Sequence, residues 1–270
     1  MATEKRQRKK AGRQAQQQAA AAARRRQSRR RTIIVTVVIL AIVALIAGVT
    51  GAFSGGSSKN VSSTGSSTTQ APPSTVKGAA ISGDTPCPKA DGSSPRTTSF
   101  AKAPPMCIDP AKTYTATMQT TQGGPITIAL DAKQAPKTVN NFVVLARYHF
   151  YDGVTFHRIV PDFVIQGGDP QGNGQGGPGY TIPDENPQAG QYKLGSLAMA
   201  NTGQPNSGGS QFFIITGQQG VQLPPNYSLF GQVTGGMDIV NKIAALGQPG
   251  APNGEPKEPV NMTSVTIQES

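Results

Sequence analysis

The 270-residue chain has no tryptophan, only two cysteines and only two histidines. Those shortages exclude several kinds of chemistry. Two thiols with no histidine near them make half a zinc site at most, so no metal is expected. His149 and His157 stand alone, without carboxylates at ligand spacing, and are read as structural. The glycine-rich run "GGDPQGNGQGGPGY" lacks the Lys-Ser/Thr of a phosphate loop and the strand-to-helix setting of a dinucleotide fingerprint, so it reads as turns. No Gly-x-Ser-x-Gly elbow is present, which removes the usual serine-hydrolase signature. No cofactor is expected.

Acidic residues are also scarce, but only at one end. Residues 1–31 carry twelve of the 25 Lys and Arg and one of the 14 acids, which leaves thirteen of each for the rest. The formal charge of +11 therefore belongs to the N-terminal arm and says nothing about the folded part. That arm has almost no apolar side chains with which to bury a core. It has no aromatic residues to stack on bases, so nucleic acid is not expected as a partner; topology and anionic lipid account for its charge.

The chain divides into five parts. After the basic arm, residues 32–53 hold no charged residue at all. As a helix they would reach roughly 33 Å, enough to cross the hydrocarbon core of a bilayer. Arg29–Arg31 abut this stretch and no comparable cluster follows it, which predicts a single span with a cytoplasmic N-terminus and an extracytoplasmic remainder. Residues 54–80 are rich in Ser, Thr, Gly and Pro and read as a flexible tether. Residues 81–112 form a Pro-rich extension holding Cys87 and Cys107, which outside a membrane read as one disulfide. Residues 113–270 read as the folded domain.

Within that domain, "YTATMQTTQGGPITIALD" alternates about a Gly-Gly turn and predicts a hairpin over residues 114–131. "APKTVNNFVVLARYHF" predicts a helix with Pro136 in its first turn and Val139, Phe142, Val143 and Ala146 on one apolar face. "GMDIVNKIAALG" predicts a second short helix, stopped at Gly247. Short strands are expected at residues 154–158, 163–166, 196–200, 211–216 and 229–233, and over the closing "VNMTSVTIQ". Many short strands with two helices suggest a closed barrel plugged at its ends.

Three motifs carry a resemblance: "FHRIVPDFVIQGGDP", then "GSLAMANTG" leading to "NSGGSQFFIIT", then "LFGQV". In this order and spacing they resemble the cyclophilins, the cyclosporin-sensitive class of peptidyl-prolyl isomerases. The likeness runs over about residues 114–267. It implies a mainly β fold, an eight-stranded antiparallel barrel with two capping helices and an active groove on its outer wall. It also implies that the substrate is a proline-containing polypeptide; the chain is expected to be a monomer.

The chemistry agrees with those residue types. Rotation about an X–Pro amide costs ~18–20 kcal/mol because it breaks C–N conjugation. In the twisted state the prolyl nitrogen regains a lone pair, and a guanidinium is a fixed, permanently charged fork able to donate to it. A donor whose acceptor exists only in the transition state is differential binding, and no nucleophile or metal is needed. By the resemblance Arg158 is that donor and Gln166 holds it. Phe163, Val164, Phe213 and Leu223 form the proline pocket. Asn201 offers a backbone N–H to the substrate carbonyl, and Ala200, Thr202 and Gln211 line the groove. Tyr227 stands at the pocket edge where the family usually has His. Taken singly, Arg158 reads better as a strand arginine paired to a carboxylate such as Asp169.

The sequence departs from the family pattern in three further places. One extra residue falls near Gln204, Thr202 replaces the usual Ala, and Gln222 stands where many eukaryotic members have Trp. The last implies weak cyclosporin binding with turnover retained. A groove of this kind without turnover would make the protein a binding or chaperone module for proline segments. A third reading makes the basic arm the working end, with the barrel a passenger.

Overall fold

The computed structural model describes residues 77–270 apart from residue 252. The arm, the span at 32–53 and nearly all of the tether lie outside the described residues. Among the described residues no helix is long and apolar enough to cross a membrane.

The chain order begins with two short strands, β1 (Ala79–Ile81) and β2 (Thr97–Phe100), which pair in parallel. The hairpin follows as β3 (Tyr114–Thr120) and β4 (Gly123–Leu130), then helix α1 (Pro136–Arg147). Next come β5 (Arg158–Val160), β6 (Val164–Gly167), β7 (Ser196–Met199) and β8 (Phe212–Ile215). The four-residue helix α2 (Gln218–Val221), β9 (Leu229–Gly235), helix α3 (Met237–Ala244) and β10 (Met262–Glu269) complete it. Strands β3 to β10 form one antiparallel sheet in the order β10-β3-β4-β9-β7-β8-β6-β5.

The sheet curls until its two edges meet. Thr155, just before β5, bridges Asn261, just before β10. Around that bridge Phe156 N–H donates to the Val260 carbonyl at 2.8 Å and Met262 N–H to the Val154 carbonyl at 2.9 Å. The seam is narrow, so the expected eight-stranded barrel is a half-closed one. It also corrects the strand expected at 154–158. Val154 and Phe156 do alternate into the core, but their backbone serves the seam, and the ladder with β6 starts only at Arg158.

Strand alternation builds the interior. Tyr114, Ala116 and Met118 of β3 and Ile126, Ile128 and Leu130 of β4 all point inward. Both expected helices cap the barrel. The turn into α3 needs glycine: Gly236 has φ of 78°, and a Cβ there would lie 2.3 Å from the Pro125 carbonyl oxygen. The third helix, α2, was not expected. Its first N–H, on Gln218, is satisfied by the Asp162 carboxylate from the β5–β6 turn at 2.9 Å.

Helix α1 departs from its expected amphipathic form. Every residue from Thr138 to Arg147 is buried, polar ones included. Barrel segments cover Thr138, Asn141 and Arg147, which bond Glu185, the Gly209 carbonyl and Glu269, and the Cys-bearing extension covers Asn140. Asn140 accepts from Cys107 N–H at 2.7 Å and donates to the Pro105 carbonyl at 2.9 Å. Phe100 and Ile108 belong to the same buried core as the barrel residues. Cys87 and Cys107 are joined as a disulfide, with Cα atoms 5.4 Å apart.

Candidate active site

The register of the sheet sets two rows of side chains, one residue apart. Ile159, Ile165, Ile214 and Leu197 sit side by side across β5, β6, β8 and β7, and all are fully buried in the barrel interior. The neighbouring row on the same strands is Arg158, Gln166, Phe213 and Ala198, continued by Leu229 of β9. Because successive side chains alternate between faces, this second row lies on the outer wall. The residues expected to act therefore meet on the outside of the barrel because strand periodicity puts them there.

An apolar hollow forms at this wall, separate from the interior. Its buried members are Val164, Tyr192, Ala198, Phe213 and Ile215. Around them pack the half-buried Phe163, Ala200, Val221, Leu223, Tyr227 and Leu229. The expected pocket residues Phe163, Val164, Phe213 and Leu223 are thus gathered in one place. Tyr227 is among them, its ring edge-on to Phe213 with centroids 5.3 Å apart.

Arg158 lies beside this hollow. Its guanidinium carbon is 5.6 Å from the Phe163 ring centroid, within cation–π range. Among the described residues it has no carboxylate partner. Asp169, the partner it might have had, is buried and otherwise engaged: it accepts from the backbone N–H groups of Gln171, Asn173 and Gly174 at 2.6–3.0 Å. Asp169 is the hub on which the glycine-rich loop turns. The guanidinium is left for something that arrives.

The orientation of Arg158 is set by a chain of amides. Gln211 donates both hydrogens of Nε2, to the carbonyls of Gly174 at 3.0 Å and Gly176 at 2.9 Å. Its Oε1 must then face outward, where Gln166 Nε2 donates to it at 3.1 Å. Gln166 is thereby turned so that its own Oε1 meets Arg158 Nη1 at 3.4 Å. Two loop carbonyls thus decide, through two glutamines, which atom Arg158 sees. The last contact is long, as is common before a ligand closes a site.

The backbone N–H of Asn201 has no acceptor among the described residues. Its side chain is tied down, with Nδ2 on the Asn226 carbonyl at 2.8 Å and Oδ1 accepting from Gly203 N–H at 3.0 Å. This fixes the direction in which the free N–H points. Thr202 is different: it sits on the exposed loop after β7, its N–H on Ser207 Oγ at 3.1 Å, outside the apolar cluster. The loop carrying the extra residue near Gln204 closes on itself through Ser207 Oγ, which donates to the Gln204 carbonyl at 2.6 Å.

Sequence reasoning missed five members of the wall: Tyr192, Ala198, Ile215, Val221 and Leu229. Tyr192 matters most. Its hydroxyl donates to the Tyr227 carbonyl at 2.7 Å and accepts from Tyr227 N–H at 3.1 Å, pinning the pocket edge. Burial pushes its phenol up to about 12. Only the register could have found Ala198, Ile215 and Leu229, and no local pattern marks Tyr192. The two histidines take separate places. His149 Nδ1 lies 3.0 Å from Asp152 and its Nε2 2.7 Å from the Gly92 carbonyl. His157 has a buried Nδ1 without a partner; burial is the main cause that lowers its pKa, with Arg158 adding to it and Asp169 opposing.

The outer wall thus brings together a guanidinium with no carboxylate partner, an adjoining apolar cluster and a backbone N–H with no acceptor among the described residues. Comparison with known proteins agrees. The family model for cyclophilin type peptidyl-prolyl cis-trans isomerases matches residues 115–267. Peptidyl-prolyl cis-trans isomerase A of Mycobacterium tuberculosis is 43% identical over 179 residues, covering 58% of this chain and 94% of that protein. Peptidyl-prolyl cis-trans isomerase B of Bacillus subtilis is 46% identical over 125 residues, covering 45% and 85%. The crystal structure of a cyclophilin type isomerase from Cryptosporidium parvum superposes with a TM-score of 0.52 at 30% identity, covering 58% of this chain and 99% of that one. A second structure from that organism, obtained in the presence of the dipeptide Ala-Pro, gives 0.51 at 30% identity. The chain belongs to the cyclophilin family. It is a peptidyl-prolyl cis-trans isomerase.

Proposed function

We propose that Arg158 is the catalytic donor and that the protein works on X–Pro bonds of polypeptides outside the cytoplasm, held to the membrane by residues 32–53. The observation that carries the first part is the Arg158 guanidinium, without a carboxylate partner among the described residues, over Phe163 and steered by Gln166 beside an apolar cluster. The Cryptosporidium relative studied with Ala-Pro supports a proline-containing ligand for this hollow. With the ring seated against Phe213, Val164 and Leu223, the Asn201 N–H takes the substrate carbonyl. Arg158 donates to the prolyl nitrogen as conjugation is lost. A donor of this type removed from a pre-organised site costs roughly a hundredfold or more in turnover.

The test is isomerisation of a short X–Pro peptide by wild type and Arg158→Ala. A loss of about a hundredfold in kcat/KM, with peptide binding kept, is expected. Equal inertness of both proteins, with both still binding the peptide, would instead make this a binding module.

The uncharged stretch behind Arg29–Arg31 supports the membrane part of the proposal, and the basic arm then serves topology and anionic lipid. The isomerase domain faces outward as a monomer on its tether. Tethering raises the local concentration of enzyme for chains emerging at the same membrane. Protease added to intact cells should digest residues 113–270 and spare an epitope in residues 1–31; protection of both would exclude this topology.

A further inference from the structure

The Cys-bearing extension lies outside the family-matched residues 115–267, yet it touches the loop that sets the amide chain. Phe100, the last residue of β2, donates its backbone N–H to the Pro178 carbonyl at 2.8 Å. Its ring stands edge-on to Tyr180 at 6.2 Å and to Tyr148 at 5.4 Å. The two backbones meet so closely at Gly179, where φ is +104°, that a Cβ would lie 2.4 Å from the Phe100 carbonyl oxygen. Pro178 is two residues from Gly176, whose carbonyl holds Gln211. Gln211 holds Gln166, and Gln166 holds Arg158. A continuous run of hydrogen bonds and short backbone thus joins an added segment to the reacting guanidinium.

The segment is itself anchored. The Cys87–Cys107 disulfide closes it into a loop. Cys107 and Pro105 both bond Asn140 of α1. Thr97 N–H donates to the Tyr148 carbonyl at 3.0 Å, and the Tyr148 hydroxyl donates to the Pro86 carbonyl at 2.9 Å. Phe100 and Ile108 pack with the barrel interior and belong to no part of the apolar pocket.

We infer that residues 79–108 are a positioning strap: Phe100 fixes the loop at 174–180, and that loop, through Gln211 and Gln166, fixes Arg158. Phe100 is a positioning residue, since it does not touch substrate. The inference rests on the catalytic role of Arg158. Because the strap does not reach the pocket, loosening it lowers turnover and leaves substrate binding alone. Loosening a purely structural extension would leave both kcat and KM unchanged and lower the melting temperature only.

The experiment uses the full-length chain in detergent, with kcat and KM for an X–Pro peptide measured beside Tm. Phe100→Ala is expected to lower kcat about tenfold, less than the roughly hundredfold that an ångström of misplacement can cost, with KM changed less than about twofold. Phe100→Leu, which keeps an apolar side chain against Tyr148 and Tyr180, restores most of kcat. The Arg158 Nε–H resonance broadens in Phe100→Ala and sharpens again in Phe100→Leu. If Phe100→Ala does not fold, the Cys87→Ser/Cys107→Ser double variant answers the same question, with a kcat loss of about threefold expected at unchanged KM. A lower Tm with kcat unchanged overturns the inference, as does a rise in KM that accounts for the whole loss. Arg158→Ala runs in parallel. If it keeps full activity, the reading of the groove fails; if it is inactive while Phe100→Ala is fully active, only the strap falls.

Discussion

The ring of Phe163 lies against the guanidinium of Arg158, with the guanidinium carbon 5.6 Å from the ring centroid. Arg158 and Gln166 are direct cross-strand partners, so the ring and the amide approach the cation from different directions. A planar guanidinium suits both contacts at once, and an ammonium suits neither as well. Arg158→Lys keeps the charge and should still lose about ten- to a hundredfold in kcat/KM, with Tm unchanged. Full activity in that variant would mean that charge alone, without the fork, is sufficient.

Gln211 offers a sharper test of the amide chain. Gln211→Glu keeps the shape but removes both donors to the Gly174 and Gly176 carbonyls. A carboxylate facing two carbonyl oxygens is repelled, so the oxygen to which Gln166 donates is driven out of place. We expect kcat/KM to fall about tenfold, equivalent to ~1.4 kcal/mol, with little change in KM. An increase in KM alone would show Gln211 acting only as a groove wall.

Tyr192 sets the pocket edge through one oxygen. Tyr192→Phe leaves the carbonyl and the backbone N–H of the half-buried Tyr227 without their partner. The expected cost is about 1–3 kcal/mol in stability, with a raised KM for proline peptides. Its phenol, at about 12, should be missing from the main tyrosine step of an alkaline absorbance titration. Unchanged KM would show that Tyr227 holds its place without it.

The pH dependence of stability follows from His157. Its folded pKa is depressed, mainly by burial, so the unfolded chain binds the proton more tightly. Its contribution is then fully present above the unfolded value of about 6.5 and is lost as pH falls below it. Tm measured downward from pH 7 should decline in that window, and His157→Gln should flatten the decline. Glu269 acts lower down. Its pKa is lowered by the hydrogen bonds from Lys112 and Arg147, so its share is lost only as pH falls through the carboxylate range. A decline of equal size in His157→Gln would assign the window to other groups.

Gln222 ends the short helix α2, exposed and next to Leu223 of the pocket. The indole that many eukaryotic relatives present there is absent, so cyclosporin should inhibit weakly. Gln222→Trp should tighten inhibition while leaving kcat/KM within about twofold. Tight inhibition of the wild type would show that the rest of the groove suffices.

Much of this site was legible because its motifs are local and ordered. Arg158, Phe163, Val164 and Gln166 fall within nine consecutive positions, and the β5–β6 hairpin delivers them together. Phe213 and Gln211 were legible through a second motif that pairs with the first. Tyr192 and Leu229 were not, because they reach the hollow through cross-strand pairing and a long-range hydroxyl bond that no short stretch records. The extension was legible only as a Pro-rich stretch holding a cysteine pair; its contacts with α1 run through Asn140, which no local pattern marks. Residues 32–53, where charge and length alone speak, lie outside the described residues.

The offset of one residue between the two rows of the sheet has a consequence for how this protein can diverge. Ile159, Ile165 and Ile214 fill the interior, while Arg158, Gln166 and Phe213, their immediate neighbours in the chain, lie on the outer wall where the proposed substrate would bind. A lineage can therefore retune which prolyl sequences it accepts at Val164, Ala198 or Leu229 without disturbing the material that keeps it folded. The same intimacy makes deletions dangerous: losing a single residue from β6 or β8 would exchange the two rows and ruin both in one step.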